Sequence, residues 1–509
     1  MEVLLANLEL GLATALTAEN LLYCLLGVTL GMVIGVLPGI GHFAAISLLM
    51  PLTFHVPATA SLIMLAGIYY GAQYGGSICS ILLNLPGTAS SAVICLDGYP
   101  MAKKGKAGVA IFLTTIASFI GSMIAIVVLI AVAPPLARVA LSFTSVEYFA
   151  MMLLGLVAAA TLVNGGMLAG AASVIIGLVL GLVGTDVNSG VLRFTYGIPQ
   201  LFDGISLVAL AMALFGVIEV INNANRSDGS RPRASQVSYR SLIPNRQELR
   251  ETWAPTLRGS VVGTLIGILP GTGGGSIASF MAYAVEKRTA RDPSRFGKGE
   301  IAGIAAPEGA NNAAAQAAFI PTLTLGVPGD AIMALMLGAL LIHGVMPGPR
   351  VVTENPELFW GLVVSFLIGN VMLLILNIPM IGIWVRILQI PYQVLFPAIV
   401  LMVCVGIYSI TLSAVDVLTI AVFAGVGYFV ISVLRFEAAP MLLGFILAPL
   451  LEENFRRAMR IHRGDLAVFI ERPISAVFIG LSVAVVVLVL LGSVRARQRR
   501  RADADAEQG

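Results

Sequence analysis

The chain has 509 residues, of which 58% are hydrophobic and 11% charged. A soluble globular protein carries about 25% charged residues, so composition excludes that class and indicates a polytopic membrane protein. The formal net charge of +3 gives no basis for a nucleic-acid partner, and the basic residues gather in connecting stretches, as membrane topology requires.

Residues 3–18 carry Glu2 and Glu9 nearby and no basic n-region. They read as an interfacial or bundle-packed segment and not as a cleaved signal peptide. Uncharged runs of about 18 residues or more are candidate spans. They lie near 107–133, 166–184, 204–222, 358–383, 393–410, 415–433 and 473–492. Broken or shorter apolar stretches lie near 20–52, 58–96, 145–163, 259–285, 301–345 and 437–451. Together they predict an all-α polytopic membrane protein with roughly 10–12 membrane segments. Cys24, Cys79, Cys95 and Cys404 fall in apolar segments without metal-ligand spacing, so neither a disulfide framework nor a metal site is expected.

The longest polar stretch, Asn222 to Trp253, is rich in Arg and Ser and reads as a cytoplasmic loop between two halves. The expected organisation is a first membrane repeat over 1–225 and a basic linker over 226–254. A second repeat with additional spans follows over 255–494, then a charged, disordered tail over 495–509.

The halves share a pattern. "GVLPGIGH" (35–42) and "GILPGTGG" (267–274) place Pro-Gly inside apolar runs, and "NLPGTASS" (84–91) matches "GVPGDAIM" (326–333). Pro270 lies 232 positions after Pro38, and Pro328 lies 242 after Pro86. Loop charges add an orientation. Between the two breaks, half one has no Lys or Arg ("PLTFHVPATA") and half two is basic ("EKRTARDPSRFGKGE"). After the second break the bias reverses, with Lys103, Lys104 and Lys106 in half one. Equivalent loops of opposite bias lie on opposite membrane faces, which predicts two inverted repeats, as in many secondary transporters. The stretch Glu452–Arg463 is basic, like the C-terminal tail, yet one clear span separates them; its side of the membrane stays open.

Pro-Gly at membrane depth ends one half-helix and begins another, as re-entrant or discontinuous helices. The freed backbone groups must face protein or a wet cavity. Half-helix N-termini suit carboxylates, and half-helix C-termini suit cations. The candidate substrate-binding residues are therefore Gly39, Gly41, Gln73, Asn84, Gly87, Thr88 and Ser90 in half one. In half two they are Gly271, Thr272, Gly273, Ser276, Asn311, Asn312 and Gly329. Asp330 and Glu308 are candidates for coupling an ion, because acids at membrane depth are functional suspects. Plainer roles exist for each: Asp330 as a helix cap, Glu308 as a helix start after Pro307, the glycines as packing surfaces, and His42 as a structural histidine. "GTGGGS" lacks the preceding strand and following Lys of a nucleotide loop.

The motifs "GVLPGIG", "YYGAQYGGSICSILLNLPGTASSAVICLDGYPMAKKGKAG", "GTDVNSGVLRFTYG", "GILPGTGG", "APEGANNAAAQAAFIPTLTLGVPGD", "LGALLIHGVMPGP" and "LLEENFRRAM" resemble those of the large membrane subunit of the tripartite tricarboxylate transporters. The resemblance spans about residues 20–475. It implies a multi-pass permease of the bacterial inner membrane that imports tri- or dicarboxylates by symport with Na+ or H+. It implies as partners a small membrane subunit and a periplasmic substrate-binding protein, with no organic cofactor and Na+ as one candidate coupling ion. A passive carboxylate channel on the same half-helices is the alternative. His42 stands where the family is expected to carry proline or another small residue. Asp186 and Arg193, in "GTDVNSGVLRF", are candidates for an ion pair at a membrane edge.

Overall fold

The computed structural model describes residues 2–37, 41–161, 166–186, 188–218, 221, 242–270, 274–387, 392–411 and 414–506. In chain order the first helices are α1 (Glu2–Ala15), α2 (Ala18–Val36), α3 (Gly41–Leu49), α4 (Ala58–Leu83), α5 (Ile94–Lys103) and α6 (Ala107–Ala140). Then come α7 (Ser145–Thr161), α8 (Met167–Gly181), a two-residue hairpin of β1 (Gly184–Thr185) and β2 (Leu192–Arg193), and α9 (Leu207–Ala211). The second half contains α10 (Arg246–Gly267), α11 (Gly275–Thr289), α12 (Ala302–Ala317), α13 (Phe319–Leu325) and α14 (Ala331–Ile342). It closes with α15 (Pro356–Asn377), α16 (Tyr392–Thr411), α17 (Ala414–Tyr428), α18 (Ala438–Ile461) and α19 (Pro473–Ala506).

The chain is an all-α polytopic membrane protein. Among the described residues, five helices are long and apolar enough to cross a bilayer: Ala18–Val36, Ala107–Ala140, Pro356–Asn377, Ala438–Ile461 and Pro473–Leu491. Other apolar stretches form shorter helices, such as Ser145–Thr161 and Ala331–Ile342, because Pro and Gly interrupt the runs. Large side chains such as Val477 and Leu488 are exposed, as lipid-facing surfaces require.

The chain divides into two compact units. The first comprises residues 1–141, 206–269 and 273–429 and is organised around two alike helix pairs. A Cβ on Gly27, Gly31 or Gly35 of α2 would come 2.4, 2.3 or 2.3 Å from the carbonyl oxygens of Met64, Ile68 and Ala72 of α4. A Cβ on Gly259, Gly263 or Gly267 of α10 would come 2.1, 2.1 or 2.4 Å from those of Ala306, Ala310 and Ala314 of α12. Small residues four apart let the backbones touch. The glycines of the second pair lie 232 positions after those of the first, and their partners 242, the offsets of the Pro-Gly breaks.

The second breaks match in the same way. Asn84 ends α4 in the left-handed region (φ 57°), and Gly326 ends α13 there (φ 70°). Asn and Gly are the residues that tolerate this conformation. A Cβ on Gly87 would meet Gly76, and one on Gly329 would meet Ala318. The Thr88 side chain then accepts from Ser91 N, and Asp330 from Met333 N. Every one of these pairs is offset by 242.

The second unit comprises 142–205, 270–272 and 430–509. Gly177 and Gly181 of α8 press on the carbonyls of Met441 and Phe445 of α18. Its hairpin carries an ion network. Arg193 donates to both Glu452 oxygens at 2.8 and 3.0 Å, and Arg456 donates to Asp186 Oδ2 at 2.7 Å. Asp186 and Arg193 themselves stand 3.8 Å apart, so each has a closer partner on α18. The basic stretch 452–463 thus has two of its arginines, Arg456 and Arg457, matched by acids.

The Asn188 N–H, with Arg456 and the Ser189 N–H, pushes the Asp186 carboxyl down to about 2 against the opposing effect of burial. A depressed carboxyl stabilises the fold above its unfolded value and loses that contribution as pH falls through the folded one. Amide-exchange protection of residues 184–186 and 188–193 is therefore expected to hold down to about pH 4 and to fall between about pH 4 and 2. Asp186→Asn should lower protection at neutral pH and abolish the acid step; an unchanged acid step in that variant would place its origin elsewhere.

Candidate functional site

Helix α4 is buried along almost its whole length. Along it, Tyr69, Gln73 and Ser77 recur every fourth residue and so share one face. That stripe carries the site.

Gln73 Oε1 accepts from Ser90 Oγ at 3.0 Å and from Asn311 Nδ2 at 3.1 Å. One turn on, Ser77 Oγ donates to Glu308 Oε2 at 2.6 Å. One turn back, Tyr69 OH donates to Asp330 Oδ2 at 3.0 Å. From Gln73 to Ser77, α4 advances while its partners on α12 retreat from Asn311 to Glu308. The two helices therefore run antiparallel, although they occupy equivalent places in the two helix pairs.

Glu308 is fully buried. Its other oxygen accepts from Ser118 Oγ at 2.6 Å and Asn312 Nδ2 at 2.9 Å. It lies in the second turn of α12, not at a helix start. Asp330 caps α14, with Oδ1 accepting from Met333 N at 2.8 Å. Thr88 caps the 3-10 turn Ala89–Val93, with Ser91 returning the bond, and lies 3.0 Å from Ser90 Oγ. The start of α11 approaches the same place: a Cβ on Gly275 would stand 2.6 Å from Asn311 Oδ1 and 3.5 Å from Ser90 Cβ. Among the described residues no side chain caps α11, and its first N–H groups carry the partial positive charge of a helix start.

Several buried polar atoms here have no partner among the described residues: Asn311 Oδ1, Asn312 Oδ1, both amide atoms of Gln316, and His42 Nδ1. Native interiors rarely leave such atoms unpaired. Their gathering on α12 and beside the first break is what a polar-ligand site presents.

Of the expected site residues, Gln73, Thr88, Ser90 and Asn311 come together, with Asn312 one residue on at Glu308. Gly41 (φ 67°) faces the Gly87 carbonyl, 3.9 Å from its own would-be Cβ. Ser276 is the second residue of α11 and half-buried. Gly329 packs on Ala318. Asn84 is exposed and serves as the cap of α4. Gly39, Gly271, Thr272 and Gly273 lie outside the described residues. Tyr69, Ser77 and Ser118 were not expected. A hydroxyl in an apolar helix commonly bonds its own preceding turn, so the sequence does not separate these from the rest.

A family model described as the tripartite tricarboxylate transporter TctA family matches residues 21–443. The chain belongs to this family. It is 48% identical over 481 residues to an Agrobacterium vitis protein described as "Uncharacterized 52.8 kDa protein in TAR-I ttuC' 3'region", covering 94% of this chain and 95% of that one. A second protein of that organism, described as "Uncharacterized protein in TAR-II ttuC' 3'region", is 53% identical over 221 residues, 43% of this chain and 90% of its own. No solved structure matches. The TctA match takes in both helix pairs, both described caps and the polar stripe, and the family is one of transporters.

This TctA-family chain also clamps a loop of its second half to its first. Asp97 of α5 is fully buried. Its Oδ1 accepts the N–H groups of Gly297, Gly299 and Glu300 at 2.9, 2.7 and 2.8 Å. Its Oδ2 accepts from Tyr283 OH at 3.0 Å, and Lys104 Nζ donates to the Lys298 carbonyl at 2.6 Å. The loop that joins α11 to α12 is thereby tied to α5.

Proposed function

We propose that the chain is the permease subunit of a three-part secondary transporter of the bacterial inner membrane. It imports a tri- or dicarboxylate by symport with Na+ or H+. A periplasmic binding protein delivers the acid, and a small membrane subunit completes the permease. The single observation that carries this reading is the Gln73–Ser90–Asn311 cluster. It joins the α4 of one helix pair to the α12 of the other, beside the uncapped start of α11.

Matched local geometry at constant offsets, together with antiparallel α4 and α12, supports two repeats of inverted topology. Neutral donors and a helix start favour an anion without basic side chains. Glu308 and Asp330 are buried acids whose hydrogen-bond partners among the described residues are neutral, which suits them to exchange a cation.

Proteoliposomes holding the chain, its small subunit and its binding protein are expected to accumulate labelled citrate only under an imposed Na+ or proton gradient. Equilibration without accumulation, for citrate and for the acid held by the binding protein, would replace the symporter with a passive pore. Asn311→Leu is expected to reach the membrane normally and to slow uptake at least ~10-fold, given about 1.5–3 kcal/mol for a hydrogen bond to a charged group.

A further inference from the structure

The two repeats act as controls for each other. Asp330 has a counterpart: Thr88, 242 positions earlier, caps the equivalent turn by the equivalent bond. A cap at this place is part of the repeated fold, and a neutral residue suffices for it. Glu308 has none. The residue 242 positions earlier is Ala66, buried in α4. The second repeat therefore carries a carboxyl that the shared architecture does not need.

Among the described residues, the surroundings of Glu308 give it no permanent counter-charge. Ser77 faces it from α4, Ser118 from α6 and Asn312 from its own helix. On the α10 side, Ser260 and Thr256 border Gly309. The titratable neighbour is the Tyr74 phenol, whose hydroxyl donates to Asn370 Oδ1 at 3.3 Å. A buried carboxylate without a cationic partner is costly and is relieved by taking up a positive charge.

We propose that Glu308 is the residue that binds the coupling cation, and that this cation is a proton; the proposal rests on the symport reading above. A hard metal ion requires a cage of oxygens. Here Asn312 turns its Nδ2 donor towards Oε1 at 2.9 Å, and both serine hydroxyls stand at 2.6 Å, the separation of direct O–H···O bonds. A proton fits this cluster without displacing anything. It adds to Oε2, and the new O–H donates to Ser77 Oγ. Ser77 then turns its own hydrogen to the Gln73 carbonyl, 3.5 Å away. Release to water on the far side reverses these moves, and no other group changes its proton count. Gln73 and Asn311, which form the neighbouring rung, are four and three residues from Ser77 and Glu308. The protonation step thus acts one helical turn from the cluster assigned to the substrate.

Infrared difference spectra of the purified permease complex test this without any carboxylate substrate. Stepping the pH from alkaline to acid is expected to raise a protonated-carboxyl band that Asp330→Thr keeps and Glu308→Gln loses. Ser77→Ala should shift that band, which keeps the test open if Glu308→Gln does not reach the membrane. A spectrum without such a band, or one lost with Asp330→Thr and kept in Glu308→Gln, overturns the proposal. Radiolabelled sodium binding that disappears in Glu308→Gln overturns it in favour of a metal ion. In proteoliposomes, Glu308→Gln should exchange labelled citrate across the membrane but lose at least ~10-fold in the extra uptake produced by a pH gradient. Wild-type proteoliposomes that only equilibrate citrate and the acid held by the binding protein under every gradient, with the band intact, would overturn the symport reading and the coupling role with it, whereas gradient-driven uptake without the band overturns the proton site alone.

Discussion

Replacing Gly263 by valine is expected to prevent assembly of the α10–α12 pair, so that little folded protein survives detergent extraction. A Cβ at this position would stand 2.1 Å from the Ala310 carbonyl oxygen and 2.7 Å from its carbonyl carbon and Cα. Those atoms are backbone, so no rotamer change can relieve the clash. Excess bulk in a packed interior typically costs about 1–3 kcal/mol, and more where the backbone itself must separate. Gly31→Val, at the equivalent place on α2, should fail to the same degree. Gly480→Val is the control, because nothing lies within 4 Å of its would-be Cβ. A monodisperse Gly263→Val at wild-type yield would show that the two helices do not meet along this ridge.

The second large effect is expected at Asp97. Its carboxylate organises three loop amides and the Tyr283 hydroxyl. Hydrogen bonds to a charged group contribute about 1.5–3 kcal/mol each. Losing several at once should raise the open population of residues 293–300 by at least ~100-fold. Asp97→Ala should therefore be cut rapidly by trypsin after Arg295, the last residue of the 3-10 turn Pro293–Arg295, or after Lys298, which lies outside helices, in membranes that expose this loop. Asp97→Asn keeps an oxygen for the amides and should be cut at a rate between the two. Equal cleavage of all three proteins would mean that the loop is held by something other than this carboxylate.

The features that the sequence makes visible are those written in local chemistry. Pro-Gly pairs mark the breaks because Pro lacks an N–H and Gly accepts unusual backbone angles. Their offsets of 232 and 242 recur in the glycine contacts of α2 and α10 and in the caps at Thr88 and Asp330. The acids stand out because charge is rare in such segments. What the sequence hides is the identity of distant partners. Tyr69 and Asp330 are 261 positions apart, and Ser77 and Glu308 are 231. Ser118 looks no different from Thr114, whose hydroxyl donates to carbonyls of its own helix. The polarity of Asn84 points to a lining residue, whereas its place depends on backbone conformation. Pro307 suggested a helix start just before Glu308, yet α12 begins five residues earlier. The Asp97 clamp left no trace, because its donors are main-chain amides that every residue but proline possesses.

The unequal offsets bear on how the two halves came to differ. A single displacement would relate every matched position, but Gly267 and Ala306 are ten positions further apart, 242 − 232, than their counterparts Gly35 and Met64. Helix α11 (275–289) and the stretch formed by α3 and the 3-10 turn after it (41–55) are of equal length, whereas the connection that follows is 290–301 in one half and 56–57 in the other, so the extra positions fall there. That connection is what Asp97 holds, and the residue corresponding to Asp97 in the other copy is Ala339. Insertion and acid belong together: the one supplies the amides, the other the charge that gathers them. The two alike helix pairs are thereby not interchangeable: the second carries the longer connection, and an acid that follows the first holds it.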